Sequence, residues 1–127
     1  MTDILVSKDD GQVVTLTLND APANCLTMAM MSAIKMEISR VNQSKDHKLV
    51  IFESSNEKIF CSGHSFNEVQ EMIKNNDKKS QELLFAECSE MLMKIRTSPK
   101  IFVAKVRGIA TAGGLGLVSI MDCVFSS

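Results

Sequence analysis

Apolar and polar residues alternate first over residues 12–18, where Val14, Leu16 and Leu18 interleave with Val13, Thr15 and Thr17. That period of two predicts a half-buried β-strand. Residues 4–7 are a second β-prone run, and Asp9-Asp10-Gly11 between the two predicts a hairpin, because Asp-Gly favours tight turns. Asn19-Asp20-Ala21-Pro22 ends the strand, since proline lacks an N–H donor and restricts the residue before it. From Thr27 the period lengthens. Met31, Ile34, Ile38 and Val41 recur at helical spacing, so Thr27 is read as the cap of a helix ending near Val41.

A polar link over residues 42–48 leads to the continuous apolar run Leu49-Val50-Ile51-Phe52. Such a run predicts a strand buried on both faces. Residues 57–65 are read as a loop and 67–75 as a short helix. Ser80 is expected to cap a further helix whose apolar face is Leu84, Cys88, Met91, Leu92 and Ile95. Glu82 and Glu87 near its start and Lys94 and Arg96 near its end suit the helix dipole. Pro99 stops it, and residues 101–106 predict a strand. Gly108 turns the chain, Ala110-Thr111-Ala112-Gly113-Gly114 leads into a helix to about Met121, and residues 122–125 begin another strand. Hairpin, helix, strand, two helices, strand, helix and strand predict an α/β architecture in one domain. An apolar strand at the end of a chain leaves an unpaired edge; the expectation drawn from it is a fragment or a truncated product.

Composition narrows the classes. Fourteen basic against 15 acidic residues give a net charge of −1. That balance offers no electrostatic case for nucleic acid or an anionic membrane as main partner. No stretch reaches the ~18 consecutive apolar residues of a membrane span. The first residues, Met1-Thr2-Asp3-Ile4-Leu5-Val6, resemble neither a secretory signal nor an Arg-rich transit segment. Cytoplasm is the default expectation, or the mitochondrion if a transit segment has been removed. Cys25, Cys61, Cys88 and Cys123 form no C-x-x-C pair and are expected to be reduced, plain small hydrophobes. The nine methionines are expected to fill core, and no metal site is expected.

Chemistry is expected in two glycine-bearing loops that each precede a helix: residues 59–66 and residues 108–116. In open α/β sheets ligands collect at the carboxyl ends of strands. Unpaired N–H groups at helix starts can hold an anion, and one amide from each loop could serve a developing oxyanion. The plain alternative is that the glycines serve turns and close helix packing. Neither G-x-G-x-x-G after the first strand nor G-x-x-x-x-G-K-[ST] occurs.

These residues resemble a known family. Leu18-Asn19-Asp20-Ala21-Pro22-Ala23-Asn24-Cys25-Leu26 is similar to the "LNRP-x-x-NAL" segment of the enoyl-CoA hydratase/isomerase (crotonase) superfamily. Phe60-Cys61-Ser62-Gly63-His64-Ser65-Phe66-Asn67-Glu68 resembles its "F-C-A/S-G-x-D-L-x-E" segment. Residues 99–122 resemble "P-x-x-A-x-V-x-G-x-A-x-G-G-G-x-E-L-x-x-x-C-D". The nearest subgroup reads "SSGHDL" and "GLATAAGCQLVASCD" at the last two places. The resemblance covers essentially all of the chain and the N-terminal half of a usual member.

It implies a spiral of ββα units (the ClpP/crotonase fold), incomplete at its C-terminus. Residues 1–127 would be an acyl-CoA-binding core without the C-terminal helices that build the trimer. The thioester oxygen would be held by two backbone amides, those of His64 and Gly113. Ser62, Gly63, His64, Ser65, Phe66, Asn67, Gly113 and Gly114 would line the substrate groove. No cofactor is implied, coenzyme A arriving as the substrate thioester, and a homo-oligomer (trimer or hexamer) is implied as the assembly. The family uses position 64 for its amide, so no catalytic role of the His64 side chain is expected.

Two departures matter. The glutamate that works on water in the hydratases is Gly116 here, and the family's aspartate after the first oxyanion residue is Ser65. Asp122, Glu57, Glu68 and Glu71 are substitutes only if the fold brings one near Gly113. General acid–base catalysis contributes roughly 10²–10⁴-fold, so little ordinary hydratase activity is expected. The functional expectation is a hydratase/isomerase-like protein of fatty-acid metabolism; the alternative is a non-catalytic acyl-CoA-binding or assembly protein of the same fold.

Overall fold

The computed structural model describes residues 3–126. Strands β1 (Leu5–Asp10) and β2 (Val13–Leu18) form the expected antiparallel hairpin, with Leu5 opposite Leu18 and Asp10 opposite Val13. The turn falls on Gly11 and Gln12, one residue later than Asp9-Asp10-Gly11. Gly11 adopts a positive φ of 60°, the conformation that a two-residue hairpin turn requires and glycine supplies.

Helix α1 (Met28–Gln43) starts where the sequence places it, Thr27 accepting a hydrogen bond from the Met30 amide. Its stripe of Met31, Ile34, Ile38 and Val41 is sealed from solvent, together with Met30. Strand β3 (Leu49–Ser54) pairs in parallel with β2. It is not buried on both faces. Val50 and Phe52 are sealed, while Leu49 and Ile51 are half-buried; among the described residues the helices cover only one face.

The segment read as a loop over residues 57–65 contains a strand, β4 (Ile59–Cys61). A second two-residue strand, β6 (Ile109–Ala110), pairs with it in parallel. Runs of three and two residues are too short for periodicity to reveal. Helix α2 (Phe66–Lys74) lies one residue earlier than expected. Helix α3 (Lys78–Thr97) is capped by Asp77 rather than Ser80. The Asp77 carboxylate accepts from both the Ser80 amide and the Ser80 hydroxyl, which makes Ser80 a donor to the cap. Strand β5 (Ile101–Val106), helix α4 (Gly113–Ser119) and strand β7 (Cys123–Ser126) complete the order.

The main sheet runs β1-β2-β3-β5-β7, parallel except for β1. Its inner face (Val14, Leu16, Leu18, Val50, Phe52, Phe102 and Ala104) is fully buried. It packs on α1 and on Leu84, Met91 and Ile95 of α3. The Phe52 and Phe102 rings meet at 6.3 Å between centroids. Cys88 and Leu92 flank this core half-buried. Met30, Met31, Met91 and Met121 are core, as expected, but Met36 and Met93 are exposed. All four cysteines are free; Cys61 is buried, whereas Cys123 is exposed, as is every residue of β7 at the edge of the sheet.

Candidate functional site

The loops before α2 and α4 meet at the end of the small β4-β6 sheet, where the Thr111 amide donates to the Cys61 carbonyl, and six further hydrogen bonds hold the segment around Pro22 against the first loop and its strands. Asn24 adopts a positive φ of 49° and is buried. Its side-chain amide donates to Ser54 Oγ and the Phe60 carbonyl, and its Oδ1 accepts from the Asp20 amide. The segment after Pro22 is thereby fastened to β3 and β4. Ser62 donates both its amide and its hydroxyl to the Ala23 carbonyl, and the Leu26 amide donates to the Gly63 carbonyl at 2.7 Å.

That last bond sets a peptide plane. In a trans peptide the C=O and N–H point in opposite directions. With the Gly63 carbonyl held by Leu26, the His64 N–H faces away from Leu26. Helix α4 fixes its counterpart. The Ala112 carbonyl accepts from Leu115 and Gly116 at 3.1 and 3.2 Å, so the Gly113 N–H points backwards out of the helix start. Residue 112 has φ 50° and ψ −120°, and the Gly114 amide donates to the Thr111 carbonyl. These are the marks of a type II′ turn, in which glycine is the usual occupant of that position. An alanine there costs roughly 1–3 kcal/mol.

The two amides are neighbours. A Cβ placed on Gly63 would lie 2.7 Å from the Gly113 nitrogen, and one placed on Gly113 would lie 3.3 Å from Gly63 Cα. Gly63 also has φ 88°, so both conformation and space select glycine. Among the described residues, neither the His64 nor the Gly113 amide donates to a backbone carbonyl. Two unpaired N–H groups side by side are suited to one oxygen carrying developing negative charge.

Other expected site residues fall in three places. Ser65, Phe66 and Asn67 line a cleft of about 330 Å³ with Asp20, Ala21, Pro22, Ala23, Cys25 and Thr27. Ser65 also caps α2, accepting from the Glu68 amide, so the residue standing at the family's aspartate position serves a helix. Ser62 is occupied with Ala23, and its Oγ lies 3.4 Å from Cys25 Sγ. Gly114 is buried against the Cys61 carbonyl, which lets α4 approach β4 backbone to backbone. Burial pushes the Cys61 thiol up to about 11.

None of the carboxylates considered as substitutes supplies any of the three heavy atoms nearest to where a Cβ on Gly113 would stand, which belong to Gly63, Leu26 and His64. Asp122 sits beyond the far end of α4 and accepts from the Phe102 amide. Glu57 pairs with Arg107 at 3.6 Å on the surface. Glu68 and Glu71 lie on α2. A Cβ on Gly116 would meet nothing within 4 Å. No metal-binding cluster occurs among the described residues, and no described helix is long and apolar enough to cross a membrane. Sequence reasoning missed three supports: Asn24, Ala112 and Phe85, whose ring stands edge-on to His64 at 6.2 Å. Asn24 alone carried a signal, since asparagine tolerates positive φ better than other non-glycine residues.

A mostly parallel five-stranded sheet with a second small sheet, and with helices packed on one face, is the architecture of the crotonase fold. The enoyl-CoA hydratase/isomerase family matches residues 8–127, and the chain belongs to it. Rat enoyl-CoA hydratase domain-containing protein 3, mitochondrial, is 32% identical over 120 residues, covering 94% of this chain and 39% of its own length. This is the subgroup that the motifs of the two loops resemble. The crystal structure of its human counterpart superposes with a TM-score of 0.89 at 26% identity, over 98% of this chain and 48% of that one. An enoyl-CoA hydratase from Mycobacterium smegmatis gives a TM-score of 0.89 at 33% identity over 98% and 48%. The chain thus spans about two fifths of the rat relative and about half of these solved structures.

Proposed function

We propose that this chain binds an acyl-CoA thioester whose carbonyl oxygen accepts from the His64 and Gly113 amides, as part of a hydratase/isomerase-type protein of fatty-acid metabolism. The observation that carries the reading is the pair of adjacent amides with peptide planes set by the Leu26–Gly63 bond and by α4. The thioester is the matching ligand because its oxygen takes charge when an enolate forms, and preorganised donors stabilise that charge most. The cleft beside Ser65, Phe66 and Asn67 would take part of the CoA moiety. Assembly as a trimer or hexamer belongs to the same proposal, and sedimentation of the intact protein tests it.

Calorimetric titration of butyryl-CoA against free CoA tests the site. The thioester should bind more tightly than CoA, and Gly113→Pro, which removes one donor, should erase the difference while circular dichroism stays unchanged. Equal affinities in the unaltered protein would sink the assignment. Turnover of crotonyl-CoA is expected to fall roughly 10²–10⁴-fold below that of a hydratase carrying the glutamate, because position 116 has no side chain to carry a proton.

A further inference from the structure

Strand β4 pairs with β6 along one edge only. On that side the Cys61 carbonyl accepts from Thr111. On the other side residues 23–26 stand in for a missing strand. Ser62 donates to the Ala23 carbonyl there, and Leu26 donates to the Gly63 carbonyl. Between these two rungs Asn24 leaves the extended conformation at φ 49°, and its own amide turns back to the Asp20 carbonyl. Its carboxamide takes the rung that its backbone gives up. Nδ2 donates to the Phe60 carbonyl at 3.1 Å and to Ser54 Oγ at 2.8 Å, while Oδ1 accepts from the Asp20 amide at 2.7 Å. The residue is 2% exposed, so both hydrogens of the carboxamide are used inside the protein.

We infer that Asn24 is a positioning residue of the thioester site, its carboxamide acting as a detached peptide unit that aims the His64 N–H at the substrate oxygen. The inference rests on the thioester reading above. The Phe60 bond fixes the register of residues 23–26 along β4. That register brings the Leu26 amide to the Gly63 carbonyl, and the held carbonyl turns the trans peptide so that the His64 N–H faces the oxygen. Without the carboxamide, residues 23–26 are free to shift along β4 and the His64 N–H loses its fixed direction. The Gly113 amide, set by α4, stays in place. The site then offers one aligned donor in place of two.

Asn24→Gly removes the carboxamide and tolerates the positive φ; Asn24→Asp keeps the shape and puts an oxygen where Nδ2 stands. The first readout is the ratio of butyryl-CoA to free-CoA affinity by calorimetry, which cancels changes in the cleft that Ala23 and Cys25 also line. The second is the infrared carbonyl band of bound butyryl-CoA carrying ¹³C at the thioester carbon. Both variants should lower the ratio about fivefold, as loss of one neutral hydrogen bond does, and move the band towards its free value. Ser54→Ala is milder, because it spares the Phe60 bond, and should shift both readouts the same way even if neither Asn24 variant folds. Ile38→Val, in the buried stripe of α1, weakens the fold by packing alone and should leave both readouts unchanged. Folded variants at Asn24 or Ser54 that lose stability but keep ratio and band overturn the inference and leave the thioester reading standing. An unaltered protein with no preference for butyryl-CoA over CoA overturns both.

Discussion

Gly114 and Gly116 lie two residues apart on α4, and alanine at each should move stability in opposite directions. Replacing glycine inside a helix by alanine gains roughly 0.5–1 kcal/mol, chiefly through backbone entropy. At Gly116 the new methyl meets nothing within 4 Å, so that gain should appear almost undiminished. At Gly114 the methyl is driven into the Cys61 carbonyl, lying 2.8 Å from its carbon and 3.0 Å from Cys61 Cβ. The obstacle is β4 backbone and cannot swing aside. Overpacking of this kind costs about 1–3 kcal/mol, and the rigid partner places the cost at the upper end. After the helical gain, Gly114→Ala should be destabilised by about 2 kcal/mol, and the two variants should differ by about 3 kcal/mol. With a urea m-value of about 1–3 kcal/mol/M, their midpoints separate by about 1–3 M. Equal midpoints at unchanged m would refute the close approach of α4 to β4, and with it the placement of Gly113 against Gly63.

Other expectations rest on single contacts. Thr27→Ala removes the acceptor for the Met30 amide and should cost about 1 kcal/mol, read by urea denaturation. Ala112→Gly relieves the positive φ of the type II′ turn and should raise stability by about 1 kcal/mol without altering thioester affinity. The Arg40 guanidinium, bonded to both oxygens of Asp9, holds that carboxyl below its ordinary value of 3.8. A depressed carboxyl stabilises the fold above its unfolded value and loses the effect as pH falls through the folded one. The stability advantage of the unaltered protein over Asp9→Asn should therefore be present at pH 5–7, fade as the solution is acidified below about pH 4, and shrink with added salt.

The main sheet and its helices were legible because each buries one face, and the periods of β2 and α1 record that directly. Leu49-Val50-Ile51-Phe52 misled, since an apolar run states composition and not how many layers cover it. Strands β4 and β6 carried no period at all; pairing across 50 residues defines them, and that is a tertiary fact. At the site, Gly63 and Gly113 were readable through motif resemblance. The features that aim the His64 and Gly113 amides were not: the Leu26–Gly63 bond, the Asn24 hub and the strained Ala112 arise only when distant loops meet. Gly116 was readable as a departure, while the approach of His64 Cδ2 to Gly113 emerged only from the packing of the two loops.

The infrared carbonyl stretch of butyryl-CoA labelled with ¹³C at the thioester carbon addresses the central claim most directly. Two N–H donors on one oxygen weaken the C=O bond, so the band should fall to lower frequency on binding and move back towards the free value in Gly113→Pro. A bound thioester whose carbonyl band matches that in water would contradict the two-amide site.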